Sequence, residues 1–256
     1  MAVPAAGKVE PMDLRDALRS TGSARVFTDQ PVSDDVVAAI VDDARFAPSG
    51  GNRQGWRVAV VADRQLRRRL AAEMQPVWDE YIRQGASGIT PFSIDAVAVA
   101  GSATTPATPA PAPHSPNPLI DGIDSVPVVL AVAVDLARVS TLDSELDRVA
   151  IVGGASVYPF CWSILLAARA RGLGGVMTTF LSRVEPTVGP LLGLPPNHAL
   201  AATIFLGHPV HQPTRLSRRP VASFTTIDRF DGAPFSGPTG APFSGPTGAS
   251  FSGPTG

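Results

Sequence analysis

The segment Asp43-Ala44-Arg45-Phe46-Ala47-Pro48-Ser49-Gly50-Gly51-Asn52-Arg53-Gln54-Gly55-Trp56-Arg57-Val58-Ala59-Val60-Val61 joins an amphipathic helix to a strand. Pro48 stops the helix, because the residue before a proline is pushed out of the helical region. Ser49, Gly50, Gly51 and Asn52 are small, so their backbone amides can come close to a ligand. Trp56 opens a strand in which Val58 and Val60 share one face and Arg57 and Ala59 the other. A glycine-rich corner that ends in an amide side chain and an indole is more than a stable turn needs.

Upstream of the corner the chain reads as two helices. Residues 12–20 form a short one, with Leu14, Ala17 and Leu18 along one face. Ser33 is placed to cap the second, and Asp34 and Asp35 sit at the positive end of its dipole. Val36, Val37, Ile40, Val41 and Ala44 make its apolar stripe. Downstream, Asp63 caps a third helix in which Leu66, Leu70 and Met74 recur at four-residue spacing. Arg64, Arg67, Arg68 and Arg69 are expected on its wet side.

Residues 85–125 read as an insert. Periodicity fades after 85, and the proline-rich stretch 101–118 favours extended polyproline conformations. Such a stretch inside a domain is either a lid or a segment without fixed structure, and both alternatives stand. The apolar run 126–134 suits a central strand. Residues 145–171 read as one long apolar helix, kinked near Pro159 and closely packed at Gly153 and Gly154, since all three are costly in a helix interior. Residues 172–175 end it, 176–180 form a short strand, and Ser182 with Glu185 spells a capping box for a helix that stops at Gly193. Residues 199–206 form another strand. From 208 to 230 no periodicity remains, as for an arm laid over a neighbour. Residues 233–256 are three copies of an octapeptide, a period too short for a solenoid unit.

Composition excludes several classes. Apolar residues make up 44% of the 256, enough for a substantial core, and charged residues only 17%, which suits a subunit partly covered by a partner. A net charge of −1 without a basic block invites neither nucleic acid nor an anionic membrane. The apolar runs are too short to span a bilayer, and the start lacks a signal-peptide pattern. The single cysteine, Cys161, fits a reducing compartment, so a cytoplasmic location is expected. Cys161 has no evident base nearby and reads as core filler. His208 and His211 have no third ligand nearby, so no metal site is expected.

Pro48-Ser49-Gly50-Gly51-Asn52-Arg53-Gln54-Gly55-Trp56 closely resembles the Ala-Pro-(Ser/Thr)-x-x-Asn-x-Gln-(Pro/Gly)-Trp segment of the nitroreductase family of FMN-dependent NAD(P)H oxidoreductases. Two further segments follow in that family's order. Thr21 to Phe27 resembles its Arg-(Arg/His)-Ser-x-(Arg/Lys)-x-(Phe/Tyr) motif at Ser23, Arg25 and Phe27, and departs from it where Thr21 and Gly22 replace the basic pair. Gly172 to Phe180 resembles its Gly-Leu-Gly strand. Arg218 and Arg219 match a basic pair near the family's C-terminus.

The resemblance implies an α+β, nitroreductase-like fold over 12–230, with a central, mainly antiparallel sheet flanked by helices, in an intertwined homodimer. Residues 1–11 would be a leader and 231–256 a tail. It also implies FMN as cofactor. Thr21, Ser23, Arg218 and Arg219 would lie toward the phosphate and ribityl end, Arg25 at the pyrimidine edge, and Thr178, Thr179 and Phe180 near N5 and O4. Pro48, Ser49, Gly50 and Asn52 would come from the other subunit. Hydride would pass from NAD(P)H through flavin N5 to a small electron-poor acceptor (nitroaromatic, quinone or activated alkene) in a ping-pong cycle, with no catalytic side chain. The missing basic pair keeps two alternatives open: a non-catalytic flavin-binding or storage protein, and a family member using a deazaflavin or a specialised substrate.

Overall fold

Unbroken burial along one strand sets the architecture. In the computed structural model, which describes residues 12–93 and 114–235, residues 128–134 are all buried, because β2 (Val128–Asp135) runs through the middle of the sheet and is covered on both faces. It pairs antiparallel with β1 (Trp56–Val60) on one side and with β4 (His198–Gly207) on the other. β3 (Gly174–Thr178) pairs antiparallel with β4, so the order is β1-β2-β4-β3, with β1 and β3 as edges. The expected central antiparallel sheet is present.

Alternate residues of β2 feed two cores. Val128, Leu130, Val132 and Val134 join the cluster under α2 (Asp34–Ala44) and α5 (Tyr158–Ala170). Val129, Ala131 and Ala133 join the cluster under α3 (Arg64–Ala86), α4 (Pro118–Asp121), α6 (Phe180–Arg183) and α7 (Glu185–Leu192). Cys161 is fully buried in the first cluster. Asp63 caps α3 as expected, its Oδ1 accepting from Leu66 N at 2.6 Å.

Several expectations are corrected. α1 (Leu14–Ser20) buries only Ala17, with Leu14 and Leu18 exposed. Ser33 stands at the start of α2, but its hydroxyl makes no cap bond, and α2 ends at Ala44, ahead of Pro48. Arg67 is buried, its guanidinium taken by backbone carbonyls. The helix expected over 145–171 begins only at Tyr158, because Pro159 sits in the first turn, where no amide is required of it, so there is no kink. Gly153 and Gly154 lie in a separate 3-10 turn, and the ring of Tyr158 covers Gly154 too closely for a Cβ there. Ser182 and Glu185 form no capping box; both bond Leu200 of β4, the hydroxyl donating to its carbonyl at 2.7 Å and Glu185 Oε2 accepting from its amide at 2.5 Å. The strand expected over 176–180 runs instead over Gly174–Thr178, and Phe180 starts α6.

The chain divides into two units, Met1–Arg215 and Leu216–Gly256. In the second, a 3-10 turn at Val221–Ser223 precedes a bridge between Thr226 and Pro234. The leader 1–11, the heart of the insert at 94–113 and the repeats beyond 235 lie outside the described residues.

Candidate functional site

Segment 22–27 lies along the free edge of β3. Ser23 bridges Gly175 in parallel fashion, and Ala24 N donates to Gly175 O at 3.0 Å. Thr28 N donates to His208 O at 2.8 Å and fixes the far end. This approach needs glycine at 174, where a Cβ would stand 2.8 Å from Ala24 Cβ.

The docked segment brings Arg25 to a cavity of about 370 Å³, within the usual range for small-molecule sites. Thr178, Thr179 and Phe180 line it from the end of β3 and the start of α6, with Trp78 and Tyr81 from α3. Trp78 and Tyr81 stack at 5.5 Å, and Phe180 meets both edge-on. Asn117 and Pro118 close another side; Asn117 is buried, and its Oδ1 accepts from Leu119 N at 3.0 Å. Among the described residues Arg25 is the one charged group in this lining. Thr178 Oγ1 and Trp78 Nε1 are buried without a partner among the described residues.

The glycine-rich corner is elsewhere. Pro48, Ser49, Gly50 and Asn52 precede β1, at the opposite edge from β3, and three strand spacings amount to about 14 Å. Within one chain the corner does not line the cavity. It is firmly set: Ser49 Oγ accepts from Gln54 N at 3.0 Å, Gly50 N donates to Ser156 Oγ at 3.1 Å, and Gln54 Nε2 donates to Asn52 Oδ1 at 3.0 Å. Gly51, Asn52 and Gln54 all have positive φ, at 60°, 53° and 47°. Behind them Trp56 stacks on Phe160 at 4.7 Å with planes 4° apart.

A model of the nitroreductase family matches residues 18–208. The chain belongs to the nitroreductase family. It is 27% identical over 214 residues to the nitrobenzene nitroreductase of Ectopseudomonas oleovorans, covering 75% of this chain and 85% of that protein. It is 30% identical over 102 residues to the NADPH-flavin oxidoreductase of Vibrio harveyi, covering 38% of this chain and 42% of that one. Among solved structures, the Vibrio harveyi NADPH:FMN oxidoreductase complexed with NAD+ superposes with a TM-score of 0.57 at 20% identity, over 84% of this chain and 77% of that chain. A Desulfitobacterium hafniense nitroreductase with bound FMN gives 0.50 at 19%, over 80% and 93%. These two likenesses show the fold.

In this nitroreductase-family chain four predicted positions, Arg25, Thr178, Thr179 and Phe180, share one cavity. Ser23 is not in its lining and bridges Gly175 of β3. Thr21 is committed elsewhere, its hydroxyl donating to Ala17 O at 2.6 Å at the end of α1. Arg218 and Arg219 belong to the second unit, where Arg218 donates to Ser217 O at 2.8 Å and Arg219 lies over the Phe224 ring at 5.9 Å. Sequence reading missed Trp78, Tyr81 and Asn117. The i, i+3 aromatic pair was visible on α3, but helical spacing alone does not separate a cavity wall from core. Among the described residues no cluster of His, Cys, Asp or Glu could hold a metal, and no helix is long and apolar enough to cross a membrane.

Proposed function

We propose that two copies of this chain form an FMN-dependent oxidoreductase that moves hydride from NAD(P)H to a small electron-poor acceptor, a nitroaromatic, quinone or activated alkene, by a ping-pong cycle. Membership in the nitroreductase family makes the chain an NAD(P)H-dependent flavin oxidoreductase. The acceptor class, the residues that hold the flavin and the dimer are the proposal's own content. The observation that carries it is the split of the family-like segments, with Arg25 and 178–180 at one sheet edge and the rigid 48–52 corner at the other.

The residues present fit a flavin. The cavity has aromatic walls for a planar ring, a single cation and two buried donors without partners. FMN, when bound, supplies a ring that takes up hydride at N5 and releases it to the acceptor. Arg25 would hold the pyrimidine edge of the ring, where its cation would favour the uptake of negative charge. Trp78, Tyr81 and Phe180 would flank the ring as its aromatic wall. Ser23 would serve the ribityl end, and Ser49, Gly50 and Asn52 would reach in from the partner copy. Thr21 contributes to the fold of that end more than to contact, since its hydroxyl is already bonded.

A dimer is supported by apolar side chains left bare near α5. Leu142 is 86% exposed and Ile151 71%, and Tyr158 and Trp162 stand one turn apart on α5. The test is spectroscopic. Purified full-length protein should carry the yellow flavin band or regain it with FMN, and stopped-flow mixing with NADPH or NADH should bleach that band rapidly. A colourless protein that FMN does not reconstitute refutes the proposal; a flavin band that neither donor bleaches points to storage.

A further inference from the structure

Trp78 lines the cavity, and its buried indole N–H has no acceptor among the described residues. A buried donor left unmade is destabilising, so such a group calls for a reason. Packing alone gives none: Trp78 is held by the face of Tyr81 and the edge of Phe180, and a phenyl ring could make both contacts without an orphaned N–H. Gln75, one turn earlier on α3, turns its Nε2 to Asp79 Oδ1 at 2.9 Å and Ser115 O at 3.1 Å, and its Oε1 does not reach the indole.

The neighbouring groups offer the same polarity. Arg25 can only donate, and the Thr178 hydroxyl, also buried without a partner, can donate as well. Asn117 has its Oδ1 engaged by Leu119 N. Among the described residues no carboxylate lines the cavity. Its polar part is therefore suited to the edge of a planar ligand that carries carbonyl oxygens.

We propose that Trp78 is a flavin-positioning residue, its indole N–H donating to a carbonyl oxygen of the pyrimidine half of the ring, with the Thr178 hydroxyl serving the same edge. This rests on the FMN proposal above and adds to it a residue of α3 that lies in none of the family-like segments.

The experiment uses full-length protein with isotope-labelled indole nitrogens, freed of flavin and then refilled with FMN, with binding measured separately by calorimetry. Trp56, Trp78 and Trp162 give the indole signals, and Trp78→Phe identifies one by its loss. On FMN binding the Trp78 signal should move downfield in both proton and nitrogen, and Trp78→Phe should bind FMN about tenfold more weakly. If Trp78→Phe does not fold, Trp56→Phe and Trp162→Phe identify the remaining signal by elimination, and the wild-type shift decides. FMN bound with the Trp78 signal unmoved, or moved upfield as by ring stacking alone, overturns the inference and leaves the flavin site standing. Protein that binds no FMN overturns both.

Discussion

The guanidinium of Arg67 donates to the carbonyl of Val126 at 2.6 Å, tying α3 to the chain just before β2. Its Nε donates to Val61 O at 2.7 Å, at the end of β1. One buried cation thus joins the exit of one strand to the entrance of its neighbour. Replacing it with methionine fills similar space but strands two buried carbonyls. Arg67→Met should lower stability by about 3 kcal/mol, or roughly 6–12 °C in Tm, in a thermal melt followed by circular dichroism. Arg67→Lys should recover part of the loss.

Gly174 lies against the segment that carries Arg25. A methyl there would meet Ala24 Cβ, Gln212 Oε1 and Pro209 Cβ, all within 2.9 Å. Gly174→Ala should leave the sheet intact but push segment 22–27 outward. The expected result is FMN affinity weaker by about tenfold, with far-ultraviolet circular dichroism unchanged. Unaltered affinity would mean that the seating of Ala24 does not matter to the cavity.

Asp143 organises the loop before α5. The Ile151 N–H, set against the cost of burial and joined by Arg148 and the Val152 N–H, holds its carboxyl below the usual carboxylate range. A depressed carboxyl contributes stability above its unfolded pKa of about 3.9 and loses it as pH falls through the lower folded value. Wild type should therefore exceed Asp143→Asn in Tm at neutral pH, and the gap should shrink below about pH 4. A gap that persists in acid would argue that shape, not charge, holds this loop.

Cys161 should be inert. Burial pushes its thiol up to about 12, and no part of it reaches solvent. A chromogenic disulfide reagent at mildly alkaline pH should find no thiol in native protein and one per chain in guanidinium. Reaction in the native state at a comparable rate would mean that α5 opens readily.

Shared construction of the site can be tested by mixing two defective chains. Arg25→Glu damages the cavity, and Gly50→Arg obstructs the corner, where a Cβ has room to fit. If each cavity takes its corner from the partner, random re-pairing of equal amounts should restore roughly a quarter of wild-type activity. No recovery, with mixed dimers shown to form, would mean that each copy completes its own site.

The sequence was most legible where one interaction dominates. Unbroken apolar character marked β2 as central, and Asp63 capped α3 as its type and position suggest. It misled where side chains had a choice of partner. Ser182 and Glu185 fit a capping box, yet β4 offered them the amide and carbonyl of Leu200, a contact 15 or more positions away that no local pattern records. Arg67 read as wet like its three neighbours, because carbonyls at 61 and 126 become reachable only once the sheet has formed. Pro159 read as a kink within a long helix, but it stands at the helix start, where the missing amide matters least. The cavity was half visible. Arg25 and residues 178–180 were marked by motif spacing, whereas Trp78, Tyr81 and Asn117 line it through side chains on otherwise ordinary elements.

Asn52 and Gln54 hold left-handed backbone that most side chains enter only with difficulty. For anyone wishing to recast this catalyst toward a new acceptor, that corner is poor ground for randomisation, since most replacements would unsettle the turn before altering selectivity. The exposed flank of α3 around Tyr81 has helical backbone and carries no such constraint. Libraries concentrated there would keep more clones folded and sample more chemistry per clone.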